Sequence, residues 1–552
     1  MIWTAGFITS FLFVVEATHP PFPRQTSTIS WTPCPDSNTT QCAFFNVPRD
    51  YTNPAENDTV SIFMRRYPAS VSGDNYLGSI LVNPGGPGGS GAEEVLTSGE
   101  WLSTIVEGRY DIIGFDPRGV SLTGPWTACF DVEAKPLLLD FQETLQGVPY
   151  PHSTFSNDRA VVKKLRAIQA SHNAACVANG NPKMLESVGT AFVVQDMVKI
   201  VEALGEDGLN YLGYSYGTIL GATFAAMRPD LVKRMVLDGV SNAQSYFNDV
   251  WQWGRDGMAE THKTYTGFLS TCIEAGPQHC AFAQPPGNSN VTQTTESLRQ
   301  RINAIFARLE EQPAAIADSL VRFDARLRVA THHRFITWFT SHTPISIANR
   351  TPRTYSTVPC NAMGTLLENR SAQSSAETQP RPTYQSAHIL TRKISPVGEQ
   401  WASLVGACSG WSFRAGQRYT GPWTTSKGLK KTRFPILFMS LDADPVTPLS
   451  SAVKMSRGFG KESATLLVQQ GYLAARTAHP SICTYNHVRD YFVAGKVPVN
   501  GTHCTPEPGF IYPSNDTNTK RSVLTKRDRK LLDAVEKLSK VRAKSNGIPW
   551  GM

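Results

Sequence analysis

Short apolar runs alternate with amphipathic stretches along the first part of the chain. Residues 61–66, 79–83, 110–115, 209–212 and 232–237 are brief apolar segments bounded by turn-forming residues, the pattern of buried strands. Between them, residues 190–204 place Phe192, Val193, Met197, Ile200, Val201 and Leu204 at helical spacing, and residues 216–227 form an Ala- and Gly-rich helical stretch. This alternation predicts an α/β fold with a mostly parallel central sheet. From residue 241 to 430 the pattern changes to helical periodicity with polar Ser/Thr/Pro patches and no strand–helix alternation, as expected of an inserted, mainly helical cap. Strand character returns at 434–440 and 464–469, and a helix is predicted over 481–493, so the sheet resumes after the insertion. The expected division is a first core part over 18–240, the cap over 241–430, a second core part over 431–510 and a basic tail over 511–552.

Composition narrows the class. A chain of 552 residues exceeds one compact core, and 41% hydrophobic with 18% charged residues excludes a largely disordered protein. The net charge of +8 is unevenly placed: residues 520–544 hold ten Lys/Arg against three acids, which leaves the body near neutral. That tail lacks the aromatic or groove-reading residues of a nucleic-acid surface. Its Leu531, Leu532, Val535 and Leu538 instead fit one face of an amphipathic helix docked on the body.

Residues 1–17 read as an export signal, with an apolar stretch from Phe7 to Val15 followed by Glu16 and Ala17 and too short to span a bilayer. Two other features point the same way. The ten cysteines are an even count, and short separations pair Cys34 with Cys42, Cys272 with Cys280 and Cys483 with Cys504; Cys129 with Cys176 and Cys360 with Cys408 follow by elimination. Seven Asn-X-Ser/Thr sequons, at Asn38, Asn57, Asn290, Asn349, Asn369, Asn500 and Asn515, are candidate glycan sites. Together these predict a secreted, extracellular glycoprotein with disulfides.

The candidate chemistry begins at Gly213-Tyr214-Ser215-Tyr216-Gly217, which matches the Gly-X-Ser-X-Gly nucleophile elbow between an apolar strand and a helix. A serine attacking a carbonyl needs donors for the oxyanion that forms. The backbone N–H of Tyr216 is one, and the loop Pro84-Gly85-Gly86-Pro87-Gly88-Gly89 offers Gly85 and Gly86 for the other. The loop lacks the Lys of a phosphate-binding P-loop, and no acidic ribose partner of a dinucleotide site follows at the right distance. The acid is expected after a late strand, where Asp444 is the first choice and Asp442 the reserve. No metal cluster or cofactor fingerprint is present, so neither is predicted.

Five motifs carry a resemblance: Asn83 to Gly91, Gly114-Phe115-Asp116-Pro117-Arg118-Gly119, the Gly213–Gly217 elbow, Leu237-Asp238-Gly239-Val240, and Asp444-Pro445-Val446-Thr447-Pro448. The chain resembles, from about residue 31 to 504, the secreted tripeptidyl-aminopeptidase and proline-iminopeptidase branch of the α/β-hydrolases. The resemblance implies an eight-stranded α/β-hydrolase core, a helical cap over the site, Ser215 as nucleophile, Asp444 as acid, and short peptides cut near their amino end as substrates. In that branch the histidine follows the last strand in a Gly-Tyr-Gly-His type turn, whereas this chain has Gly471-Tyr472-Leu473-Ala474, with Pro480-Ser481-Ile482-Cys483 in register after it. Ala474 therefore stands where the base is expected. Three readings stay open: His479 turns back into the site, residues 473–477 reflect a misread exon junction, or the protein is a pseudoenzyme that binds without cleaving. His487 and His503 read as surface or structural. The expected function is a secreted serine hydrolase of aminopeptidase type acting on a peptide. The alternatives are an esterase or tailoring hydrolase on a small ester or amide, and a non-catalytic binding protein. No nucleic-acid partner and no membrane span is expected.

Overall fold

The computed structural model describes residues 28–55, 57–132, 134–146, 155–288, 291–311, 401, 411–472, 480–507 and 524–545. Outside them lie the export signal, Cys360 and Cys408, the sequons Asn290, Asn349, Asn369 and Asn515, His479 with Ala474, most of the second half of the expected cap, and both ends of the tail.

In chain order, β1 (Thr32–Pro33), β2 (Gln41–Pro48) and β3 (Thr59–Tyr67) lead into β4 (Ser79–Asn83), α1 (Gly91–Ile105) and β5 (Asp111–Phe115). The helices α2 (Ala134–Gln146), α3 (Phe155–Asn179) and α4 (Pro182–Ser187) follow, then α5 (Thr190–Ala203), β6 (Leu209–Tyr214), α6 (Tyr216–Met227) and β7 (Val232–Asp238). Between β7 and the next strand come α7 (Ala243–Asn248), α8 (Val250–Gly257), α9 (Thr261–His279) and α10 (Thr295–Glu311). The chain returns to the sheet with β8 (Ile436–Leu441), α11 (Leu449–Phe459), β9 (Ala464–Gln469), α12 (Ile482–Ala494), β10 (Thr502–Cys504) and finally α13 (Lys526–Ser545).

The strands form one sheet in the order β1-β2-β3-β5-β4-β6-β7-β8-β9-β10. Pairing is antiparallel from β1 through β3 to β5 and parallel from β5 to β10. Strands β2 to β9 are the eight of the expected core, and the short β1 and β10 extend it at both edges, which corrects an eight-stranded expectation to a ten-stranded sheet. β4, β5, β6, β8 and β9 are buried at every position, as parallel strands covered on both faces must be. One face packs under α5, α6 and α11 through Met197, Ile219, Phe224, Phe438 and Phe459; the other packs under α1, α12 and α13 through Leu102, Tyr491, Phe492 and Val535.

Two features are absent from the sequence pattern. β2 occupies the cysteine-bearing opening segment, where buried and exposed positions alternate only in part. α2 to α4 build a helical excursion between β5 and α5, closed by the Cys129–Cys176 disulfide, which clusters with Leu185 of α4 against Trp411 and Phe413. The disulfides Cys34–Cys42, Cys272–Cys280 and Cys483–Cys504 form as their separations suggest. In α13, Leu531, Leu532, Val535 and Leu538 are buried, while Lys537 lies 4.3 Å over the Trp101 ring and Arg527 pairs with Glu107. The basic tail therefore docks this helix on the body through its apolar stripe. Among the described residues, no helix is long and apolar enough to cross a membrane.

Candidate active site

β6 ends at Tyr214, directly beside Asp238 at the end of β7, and the chain reverses sharply into α6. Ser215 sits at the apex with φ 54° and ψ −119°, a left-handed backbone that a serine adopts only when its surroundings impose it. Its N–H donates to the Asp238 carbonyl at 3.2 Å, and the Thr218 hydroxyl donates to its carbonyl at 2.6 Å. The elbow glycines are required by close approach: a Cβ on Gly213 would collide with the Gly217 carbonyl oxygen, and one on Gly217 would stand 2.6 Å from that of Asn83. Ser215 itself remains half-buried.

The glycine-rich loop after β4 lies against this turn. Gly85 has φ 98°, and a Cβ there would meet the Tyr214 carbonyl oxygen at 2.5 Å, Ser215 Cβ at 3.0 Å and the Tyr216 amide nitrogen at 3.1 Å. Only a residue without a side chain brings this backbone so near Ser215. The Gly85 N–H donates to Asn83 Oδ1 at 3.0 Å, and the Gly89 N–H closes the loop on the Gly85 carbonyl at 3.0 Å. Gly85 thus supplies the close approach, while its amide is committed to Asn83. Among the described residues the Gly86 amide meets no acceptor, and Tyr216, the first residue of α6, carries one of that helix's open N-terminal amides.

Behind the loop, the fully buried Asp116 accepts from the Ser90 hydroxyl at 2.5 Å and the Ala92 amide at 3.2 Å, and from the Leu122 amide at 3.3 Å. It anchors the point where the loop becomes α1. Burial pushes its carboxyl above the usual carboxylate range, against the pull of these donors. Nearby, Arg118 is wholly buried and forms a two-pronged pair with Asp196, at 2.7 Å to each oxygen, fixing the Asp-Pro-Arg-Gly turn to α5.

Asp444 follows β8, whose end is in register with β7 through Asp238 and Met439. It is fully buried. Its Oδ1 accepts from the amides of Val446 and Thr447, each at 2.8 Å, and its Oδ2 accepts from the Thr447 hydroxyl at 2.9 Å. An aspartate gathering the amides two and three residues on is a self-made turn. The same Thr447 Oγ1 would lie 3.0 Å from a Cβ on Gly239, a point 4.0 Å from the Ser215 nitrogen, so the Asp444 loop abuts the elbow. Asp442 is engaged elsewhere. Its Oδ1 accepts from the Gly471 amide at 2.9 Å, while its own N–H donates to the Gln469 carbonyl at 3.1 Å. It ties the loop after β9 to the loop after β8.

Gly471 and Tyr472 are described and Pro480 resumes the chain; His479 and Ala474 fall between them. Both flanks are pinned, Gly471 by Asp442 and Ala443, and the Pro480–Ser481 corner by the Glu507 amide and the Thr505 carbonyl. His487 projects from α12 beside the Cys483–Cys504 disulfide, and His503 lies exposed on the edge strand β10. The sulfur atoms of Cys483 and Cys504 are joined to each other, which removes the thiolates a metal would need from the one cluster with ligand spacing among the described residues.

Three residues with positional roles do not stand out from the sequence pattern. Asn83 and Thr447 each stand two or three residues from the group they hold, in Asn-Pro-Gly and Asp-Pro-Val-Thr, and an Asx-turn search would flag both. Glu260, whose carboxylate accepts from the Leu449 amide at 3.4 Å, has no such local signature.

Residues 78–277 match the family described as alpha/beta hydrolase fold, and residues 393–504 match the family described as TAP-like protein. The chain is 36% identical over 225 residues to the serine protease Hip1 of Mycobacterium tuberculosis, covering 39% of this chain and 40% of that protein. It is 35% identical over 206 residues to the tripeptidyl aminopeptidase of Streptomyces coelicolor, 37% of this chain and 35% of that one. Carboxylesterase B of M. tuberculosis is 32% identical over 187 residues, 32% of each. The match to Hip1 and to the tripeptidyl aminopeptidase thus spans about two fifths of each relative's length. Sheet order, elbow and family matches agree on an α/β-hydrolase fold, in which residues 393–504 are similar to the TAP-like proteins.

Proposed function

We propose that this protein is an exported serine hydrolase that works through an acyl-enzyme on Ser215 and releases short fragments from the amino end of peptides. The observation that carries the reading is the left-handed Ser215, half-buried at the end of β6, with the Gly85 backbone in close approach to Ser215 Cβ and to the open Tyr216 amide. Ser215 Oγ attacks the scissile carbonyl carbon as a base takes its proton. The oxyanion is received by Tyr216 N–H and by the loop of Gly85 and Gly86, in which Gly86 supplies the open donor. The C–N bond breaks as the amine takes up a proton, and water then releases the acyl group. Asp444, held by three hydrogen bonds, orients the base.

His479 is the residue we assign to that base, since the pinned flanks of its segment begin beside the acid loop. The inserted stretch over 241–430 serves as the cap that selects substrates. The peptide class is taken from Hip1 and the tripeptidyl aminopeptidase; carboxylesterase B supports a second reading, an esterase on the same site. The Ala474 substitution supports a third, a scaffold that binds without turnover. The leader, the sequons and the disulfides support export.

A serine-directed fluorophosphonate tests the reading. Stoichiometric labelling that disappears in Ser215→Ala supports it, and an unlabelled wild-type protein overturns it. Turnover of tripeptidyl amides against simple esters then separates peptidase from esterase. If Ala474→His raises turnover by orders of magnitude while His479→Ala changes nothing, the assignment of His479 is wrong.

A further inference from the structure

The acid loop is held from outside the core. The stretch inserted between β7 and β8 reaches it with the start of α9, where consecutive turns of helix each contact a different backbone group. Thr264 Oγ1 donates to the Ala443 carbonyl at 2.9 Å and Thr261 Oγ1 to the Pro445 carbonyl at 3.5 Å. Between them, the buried Glu260 carboxylate faces the Asp444 amide and accepts, at 3.4 Å, from the Leu449 amide at the start of α11. Just before α9, a Cβ on Gly257 would lie 3.2 Å from the Val446 carbonyl oxygen, so the contact continues along the loop.

These contacts divide the hold on Asp444 into two parts. The loop's own residues, Val446 and Thr447, fix the carboxylate. The inserted stretch fixes the backbone that carries it. We propose that Glu260, with Thr261 and Thr264, forms a clamp that positions Asp444, making the insertion part of the catalytic apparatus as well as a cover for substrate. Glu260 is a positioning residue: it touches the backbone of the acid and no reacting atom. Sequence spacing does not betray it, because Glu260 and Leu449 are 189 residues apart. The inference rests on the assignment of Asp444 as the acid in the proposed hydrolase.

The test compares Glu260→Leu with Glu260→Gln in the full-length protein. Hydrogen exchange of the peptide from Asp444 to Leu449 reports the clamp without any need for turnover. Labelling of Ser215 by a fluorophosphonate, with kcat and KM on a tripeptidyl amide, reports its consequence. Glu260→Leu should speed exchange at the Asp444 and Leu449 amides by about tenfold or more and slow labelling and kcat by about 10- to 100-fold, with KM little changed. Glu260→Gln retains a carbonyl acceptor and should recover most of the rate. Should Glu260→Leu fail to fold, Thr264→Val, which removes the bond to the Ala443 carbonyl along with a weaker one within the helix to the Glu260 carbonyl, should show the same split at smaller size. Unchanged exchange in the acid loop overturns the clamp, as does a loss of kcat that Gln fails to rescue. A wild-type protein inert to the fluorophosphonate would sink the hydrolase reading instead, and exchange at Asp444 would then decide the clamp alone.

Discussion

The proposed nucleophile and the proposed acid of this site are built in opposite ways. Ser215 is placed by its immediate neighbours in sequence: a strand end, a helix start, and glycines two positions away on either side. Even the loop that faces it is braced locally, by Asn83 reaching two residues ahead to Gly85. Asp444 makes its own turn through Val446 and Thr447, but its backbone depends on α9, and its neighbour Asp442 is spent on Gly471 in the loop after β9. The nucleophile half is therefore a property of short motifs, and the acid half a property of tertiary packing. Damage should accordingly be abrupt in the first and graded in the second.

The largest effect is expected at the serine. Ser215→Ala should abolish fluorophosphonate labelling and, if turnover is measurable, cut kcat by up to about a million-fold while leaving the denaturation midpoint nearly unchanged. Residual labelling elsewhere on the chain would break the assignment of the nucleophile. Next comes Gly85→Ala. The new Cβ would lie 2.5 Å from the Tyr214 carbonyl oxygen on a backbone at φ 98°. Strain and overpacking together should cost about 2–4 kcal/mol, read as a lowered urea midpoint, and labelling should slow sharply because the loop is pushed off the elbow. A Gly85→Ala protein of wild-type stability and rate would mean that the loop rests elsewhere in solution.

The acid half should yield by degrees. Thr447→Val keeps the shape but removes the hydroxyl that donates to Asp444 Oδ2 at 2.9 Å. Losing one of the three donors found among the described residues should cost about 1–3 kcal/mol and about tenfold in kcat, with the remaining amides still holding Oδ1. If Thr447→Val proves as damaging as Ser215→Ala, the contrast between the two halves is wrong.

The same contrast explains what can be read from the sequence. The parallel core is legible because buried strands are unbroken apolar runs, as in Leu209–Tyr214 and Ala464–Gln469, and their order follows from alternation with helices. The Ser215 turn is legible because its glycines leave a local trace. β2 is obscured because its two adjacent buried residues, Cys42 and Ala43, break the period of two. α2 to α4 are hidden for another reason: α2 leaves Leu137, Leu138 and Phe141 exposed, so no clean stripe marks its inner face. Glu260 is invisible because helical periodicity tells which face of α9 is apolar but not which distant loop its first turn meets.

The smallest expected effect is a pH dependence that sharpens the same comparison. Burial pushes the Glu260 carboxyl above its ordinary value, and the Lys263 ammonium 3.7 Å away only partly opposes it; the other groups facing it are the amides of Asp444 and Leu449. A carboxyl with a raised folded-state pKa contributes stability that is complete below its unfolded value of 4.5 and is lost as pH rises through the folded value. Glu260→Gln cannot titrate yet keeps a carbonyl acceptor. The melting temperature of wild type relative to this variant should therefore decline as pH is raised from 4.5 toward neutrality, by an amount worth less than about 1 kcal/mol because Lys263 and the amides offset the burial. A relative rise over that range would show that Lys263 and the amide donors together outweigh burial and hold Glu260 as a carboxylate.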